Sequence, residues 1–232
     1  MNSSGYGTGG SHCSGRNAGP ITDPALIEIS GIHAGVRNPG VWWVHNDSGD
    51  TAANRTEIQV YRVAEPDVPS TGPVTPTTLT GVDTLHLTYP DGAHDAEALM
   101  VDPIFGDLVI VAKSLAGGTV NVYRAPADLA AGSTTALTNV ATLALGTGLL
   151  NAVTAADVTR DGAAVAVRTY GKVMVFNRNT TRNRWTAFAG TPCDAPLPAE
   201  VQGEAVSFRD DGKALATVSE GASQTLHLST VP

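Results

Sequence analysis

Short runs of apolar residues recur along the whole chain, each bounded by Gly, Pro, Asn or Asp. The clearest are Val41 to Val44, Ile58 to Tyr61, Leu108 to Val111, Val120 to Tyr123, Val165 to Val167 and Val173 to Phe176. β-Branched and aromatic residues in such runs predict strands. Apolar spacing at i, i+3, i+4 and i+7 is nowhere sustained over three turns, and Pro126 to Ala131 supports one helical turn at most. The pattern predicts an all-β chain.

The strands also repeat. Four stretches begin at Ser30, Glu97, Ala156 and Glu204. Each reads as a strand, a glycine-containing turn and a second strand ending in polar residues. The turns are Asn38-Pro39-Gly40, Phe105-Gly106-Asp107, Asp161-Gly162 and Asp211-Gly212. A third strand follows each: Gln59 to Arg62, Asn121 to Arg124, Met174 to Asn177 and Thr225 to Leu228. Weaker fourth strands are expected near Leu85 to Tyr89, Val140 to Leu145 and Trp185 to Ala189. Units of this kind cannot bury both faces alone and stack radially as blades. The expected fold is therefore a β-propeller of four blades, each with three to four antiparallel strands. Five blades and a β-sandwich are the alternatives. Residues 25–232 form the expected propeller domain, and residues 1–24 a flexible segment tied back near ring closure.

Composition narrows the function. The 232 residues are 42% hydrophobic and 16% charged, and no apolar run reaches the length of a membrane helix. The balance of 14 Lys+Arg against 22 Asp+Glu gives a net charge of -8. That balance disfavours nucleic acid and favours cationic partners. Cys13 and Cys193 are the only cysteines, and neither stands in a metal-ligand pattern. They form either one long-range disulfide or two unpaired thiols. Their polar, Gly/Pro-rich surroundings favour the bond, and with it a secreted or periplasmic location. The Gly/Ser-rich start lacks the basic and apolar regions of a signal peptide.

In a propeller the first strand of each blade lines the channel and the second runs back beside it. First-strand starts and second-strand ends therefore share a rim. The starts give Glu28 and Ser30, Asp95 and Glu97, Thr154 and Asp157, then Gln202 and Glu204. The ends give His45, Asn46 and Asp47, then Lys113, then Arg168 and Tyr170, then Ser219 and Glu220. So many carboxylates on one rim call for a counter-ion or raised pKa values. Hard oxygen donors without a soft cluster favour Ca²⁺ or Mg²⁺, with Glu28, Asp95, Glu97, Asp157, Glu204 and Glu220 as candidate ligands. Plain strand-end and turn chemistry is the competing explanation. His45, Asn46, Asp47, Arg168 and Tyr170 are candidates for binding a small polar or phosphorylated ligand. No organic cofactor is implied. The sequence has neither a nucleophile-elbow motif nor a phosphate-binding glycine loop. His94 is the one remaining histidine within reach of the rim. Arg160, Arg178, Arg182 and Arg184 read as a solvated basic face.

Several of these elements carry a resemblance. They are Glu28-Ile29-Ser30-Gly31, His45-Asn46-Asp47-Ser48-Gly49, Asp95-Ala96-Glu97-Ala98, Gln202-Gly203-Glu204-Ala205 and Ser219-Glu220-Gly221, with Asp157 and Arg168-Thr169-Tyr170. The chain resembles bacterial secreted β-propeller proteins, loosely similar to phytase-like and SdiA-regulated propellers. In that group another blade usually follows a motif like Asn46-Asp47-Ser48-Gly49. Here Gly49-Asp50-Thr51 runs almost directly into Asn54-Arg55, so the chain looks one blade short. Three functions are expected. The first is an extracytoplasmic binding propeller with a cation at its acidic rim. The second is a metal-assisted phosphoesterase drawing on Asp157, Glu97, Arg168 and Lys113. The third is a self-associating scaffold using blade edges.

Overall fold

The computed structural model describes residues 15–20, 29–34, 42–46, 56–62, 83–178 and 186–231. The strands are β1 Gly15–Pro20, β2 Ile29–Ala34, β3 Trp42–Asn46, β4 Glu57–Arg62, β5 Asp83–Thr88, β6 Asp95–Val101, β7 Leu108–Lys113, β8 Gly117–Ala125, β9 Thr134–Ala136 and β10 Thr138–Thr147. They continue as β11 Val153–Val158, β12 Ala164–Thr169, β13 Val173–Asn177, β14 Cys193–Ala195, β15 Gly203–Phe208, β16 Ala214–Ser219 and β17 Thr225–Thr230. Helix among the described residues is confined to two short 3₁₀ turns, Leu149–Asn151 and Thr186–Ala189.

The protein is an all-β propeller. Three blades are complete four-stranded sheets, in the orders β6-β7-β8-β10, β11-β12-β13-β14 and β15-β16-β17-β1. The first unit is divided between the β2–β3 hairpin and a sheet in the order β4-β5-β9. The inner strands stand side by side: β2 lies against β15, β15 against β11, and β11 against β6. β1 pairs antiparallel with β17, Gly15 opposite Ser229 and Pro20 opposite Thr225. The N-terminal strand thus covers what would otherwise be the open edge of the last blade.

Blades stack through apolar faces. Between the second and third blades, Met100, Val109, Val122 and Leu143 meet Val153, Val165, Val167 and Phe176. Between the third and fourth, Ala155, Ala166 and Val175 meet Val206, Phe208 and Leu215. Burial on both faces explains why β12, β15 and β16 are buried along their whole length. Leu85 and Leu87 of β5 and Leu137 beside β9 pack on Ile110 and Tyr123, attaching the β4-β5-β9 sheet to the second blade.

Three hairpins each turn on a glycine of positive φ, with Gly162 and Gly212 bonded three residues back and Gly106 four. Gly106, Gly162 and Gly212 have φ between 68° and 76°, and each donates its N–H back to the residue that opens the turn, Asp102, Thr159 or Arg209. Such positive φ favours glycine, which is why these glycines mark the repeat in the sequence.

Some local expectations give way. Residues 186–189 of the stretch expected as a fourth strand form a 3₁₀ turn, and Cys193–Ala195 supplies that strand instead. No helical turn forms between Pro126 and Ala131. Arg178 is not on a solvated face. Its side chain is 1% exposed and donates to Asp102 Oδ2 at 2.6 Å, joining the third blade to the second. Glu28, Asp47, Cys13, Arg182 and Arg184 lie outside the described residues, so the expected disulfide does too. For His45 and Asn46 the strand path alone is described. Among the described residues no helix is long and apolar enough to cross a membrane.

Removing residues 1–20 takes β1 off β17. The truncated chain is expected to melt at lower temperature and to self-associate with rising concentration through the bared β17 edge. Calorimetry and sedimentation would show both; an unchanged monomer with unchanged melting temperature would contradict this role for β1.

Candidate functional site

Each inner strand carries one extra residue at the same place. The register slips between Ile29 and Gly31, Ala96 and Ala98, Val153 and Ala155, and Gly203 and Ala205. The extra residues are Ser30, Glu97, Thr154 and Glu204. A bulge of this kind twists the strand and re-aims a side chain. On the second strands the matching described positions, just past the residues that face the bulges, are Lys113, Tyr170 and Glu220. Backbone bonds fix the equivalence of the last two: Tyr170 N–H donates to Ala152 O at 3.2 Å, and Glu220 N–H to Gln202 O at 2.7 Å.

Glu97, Lys113, Tyr170, Glu204 and Glu220 meet at one end of the inner strands. Lys113 Nζ donates to Glu97 Oε1 at 3.0 Å, and both side chains are more than nine-tenths buried. The same ammonium donates to Tyr170 Oη at 3.3 Å and lies 5.3 Å from its ring centroid. Tyr170 hydrogen-bonds to Glu204. Gln202 Nε2 donates to Glu204 Oε1 at 3.3 Å and also to the Glu220 carboxylate. One polar network thus takes side chains from three blades.

Its electrostatics follow from burial. Desolvation pushes the Glu204 carboxyl above its ordinary value; Lys113, Tyr170 and Gln202 pull the other way and Glu97 adds to the rise. Burial lowers the Lys113 ammonium, but Glu97 more than offsets it and holds Lys113 above the usual lysine range. Burial and Glu204 raise the Tyr170 phenol.

Other expected site residues do not join the network. Asp157 stands three residues beyond the bulge residue Thr154. It is 4% exposed, and its Oδ2 accepts from Ser207 Oγ at 2.9 Å and Phe208 N–H at 2.6 Å. It bolts the third blade to the fourth. Arg168 is fully buried, donating to Ala205 O at 2.8 Å and to Glu200. Glu200 also accepts from Thr217 Oγ1 at 2.7 Å. The guanidinium lies so close to Gly203 that no Cβ fits there. Both residues were expected at the rim and instead carry inter-blade contacts. His94 also turns away, toward Asp91 and Tyr123. Asp95 is opposite Lys113 in the β6–β7 register. Cys193 is partly exposed on β14.

Glu200, Thr217 and Ser207 were not anticipated. Glu200 lies in the connection between β14 and β15, outside the strands and turns that repeat, so no repeat position points to it. Among the described residues no three His, Cys, Asp or Glu side chains gather as a metal site.

No protein-family model matches the chain, and no curated protein matches it. Among solved structures it is similar to the β-propeller domain of Cps50 (Swd1) from Myceliophteria thermophila, at 14% identity and a TM-score of 0.41. The match covers 65% of this chain and 45% of that one. The propeller assignment rests on the strand order described above.

The Glu204 carboxyl binds its proton more tightly in the folded chain than in the unfolded one. The resulting stability is present below the ordinary glutamate range and is lost as pH rises through the raised folded value. The stability of the natural chain minus that of Glu204→Gln should therefore fall as pH rises. Denaturant titrations from about pH 4 to pH 8 would follow it, and a difference independent of pH would contradict the burial of an ionisable Glu204.

Proposed function

We propose that the protein is a binding propeller whose channel mouth takes a small polar ligand carrying a positive charge. The observation that carries this reading is the network of Glu97, Lys113, Tyr170, Gln202, Glu204 and Glu220, drawn from three blades at equivalent positions. It sets three carboxylates against one ammonium. A positive group beside Glu204 and Glu220 would offset the cost of ionising a buried carboxyl.

The chemistry favours an organic cation over a bare metal ion. Ca²⁺ asks for six to eight oxygens at about 2.3–2.6 Å. Here Lys113 and Gln202 stand between the carboxylates. An ammonium or guanidinium group instead accepts carboxylates spread over several ångströms. The phosphoesterase reading finds less support. Lys113 and Arg168, its expected phosphate contacts, are engaged by Glu97 and Glu200, and Asp157 is held between blades.

Argininamide, CaCl₂, MgCl₂ and inorganic phosphate are suitable probes. Argininamide is expected to raise the melting temperature saturably and to give a binding isotherm. Glu204→Gln and Glu220→Gln should weaken binding about tenfold or more, the loss of a charge-assisted contact. Asp128→Asn, on an exposed loop, should not. A response to CaCl₂ or MgCl₂ alone would restore the metal reading, and a response to phosphate alone would favour the phosphoester one. Silence to all four probes would overturn the proposal.

A further inference from the structure

The large apolar side chains exposed among the described residues fall into two groups. Leu99, Val101, Ile104 and Phe105 lie on β6 and the turn after it. Leu115, Leu149, Leu150 and Val201 lie outside the strands, in the connections that border the channel mouth. Each of these four is tied by the backbone to a residue of the polar network. Leu115 comes two residues after Lys113, and the carbonyl of the next residue, Ala116, accepts from Gly148 N–H at 2.7 Å. That bond sets Leu115 beside the 3₁₀ turn Leu149–Asn151. Leu150 O accepts from Gly171 N–H at 2.8 Å, one residue past Tyr170. Val201 directly precedes Gln202, whose side chain donates to Glu204 and Glu220.

The fold does not use these side chains. The 3₁₀ turn buries none of its residues, Leu150 is 67% exposed, and Val201 is fully exposed. A single exposed leucine needs no explanation. Three in adjoining connections, with a valine on the next blade, form an apolar border to a polar mouth. Such a border is the mark of an interaction surface.

We infer that the partner at this mouth is a protein segment in which one lysine or arginine is flanked by aliphatic residues. The inference rests on the reading of the mouth as a site for a positive group and adds what must accompany that group. The basic side chain sits against Glu204 and Glu220, and its aliphatic neighbours cover Leu149, Leu150 and Val201. Charge selects this occupant. The mouth sets three carboxylates against one ammonium, and the chain's net charge of -8 opposes both a second copy and an anionic membrane. A free small cation would leave the leucines in water. An extended segment answers both needs, because its residues i−2, i and i+2 project to one side.

Calorimetric titration of the full chain with three capped pentapeptides and argininamide tests this. Leu-Ser-Arg-Ser-Leu is expected to bind about tenfold tighter or more than Ser-Ser-Arg-Ser-Ser, the worth of one or more buried aliphatic side chains. Leu-Ser-Ser-Ser-Leu, lacking the charge, should bind far more weakly than the first. In the double variant Leu150→Ser/Val201→Ser the two arginine peptides should bind alike, with the β circular dichroism of the natural chain retained. Val101→Ser, at the far end of β6, should keep the difference. Equal affinity of the natural chain for both arginine peptides, with argininamide still bound, would overturn this inference and leave the cation reading standing. A difference that survives in the double variant would also overturn it. Silence to argininamide and to every peptide would remove the cation reading itself, and this inference with it. Phosphatidylcholine vesicles that sediment with the natural chain but not with the double variant would assign the leucines to a lipid surface instead, and would overturn the protein partner.

Discussion

One extra residue in the inner strand of every blade is the constraint on which this molecule turns. A regular inner strand would send alternate side chains into the two neighbouring blades and leave nothing polar for the channel. The bulges at Ser30, Glu97, Thr154 and Glu204 interrupt that alternation at the same level. Below them apolar side chains, with the buried Asp157–Ser207 bond between β11 and β15, seal the blades together. At and above them the chain delivers polar groups to one mouth. Thr154 shows the same device used structurally: its hydroxyl donates to Gly203 O at 2.8 Å and ties the third blade to the fourth.

The polar network and the inter-blade locks share one physical problem, that of placing charge where water is scarce. The solutions differ. Arg178–Asp102 and Arg168–Glu200 are one-to-one pairs sealed between blades. Breaking such a pair by removing one partner costs about 3–5 kcal/mol, because it strands the other charge. The channel mouth is unbalanced instead: one ammonium, Lys113, serves both Glu97 and Glu204, and Tyr170 and Gln202 add the remaining support for Glu204. An unbalanced, half-open network is where a ligand has something to contribute. A sealed pair offers it nothing.

Much of the architecture was legible in the sequence because strand, turn and strand obey local rules. The glycine turns and short β-branched runs located the hairpins, and counting them predicted the propeller. The rim was legible in part. Glu97, Glu204, Lys113, Tyr170 and Glu220 fall where the repeat placed them. Asp157 did not, because it was aligned with Glu97 and Glu204 while Thr154 holds that position, three residues earlier. A bulge adds a residue without leaving a compositional mark, so register cannot be counted reliably across one. The repeat places Arg168 at a second-strand end, hence on the rim, whereas the side chain is fully buried. Its partner Glu200 comes from a loop outside the repeat, which no periodicity reveals.

The central claim is that the bulges make residues of separate blades act as one site. A double-mutant cycle between Lys113 of the second blade and Glu204 of the fourth tests it most directly. Stability would be measured by denaturant titration for the natural chain, Lys113→Met, Glu204→Gln and the double variant. A shared network predicts a coupling of about 1 kcal/mol or more between the two sites. Additivity within about 0.3 kcal/mol would mean that the blades do not meet at the channel mouth, and would contradict it.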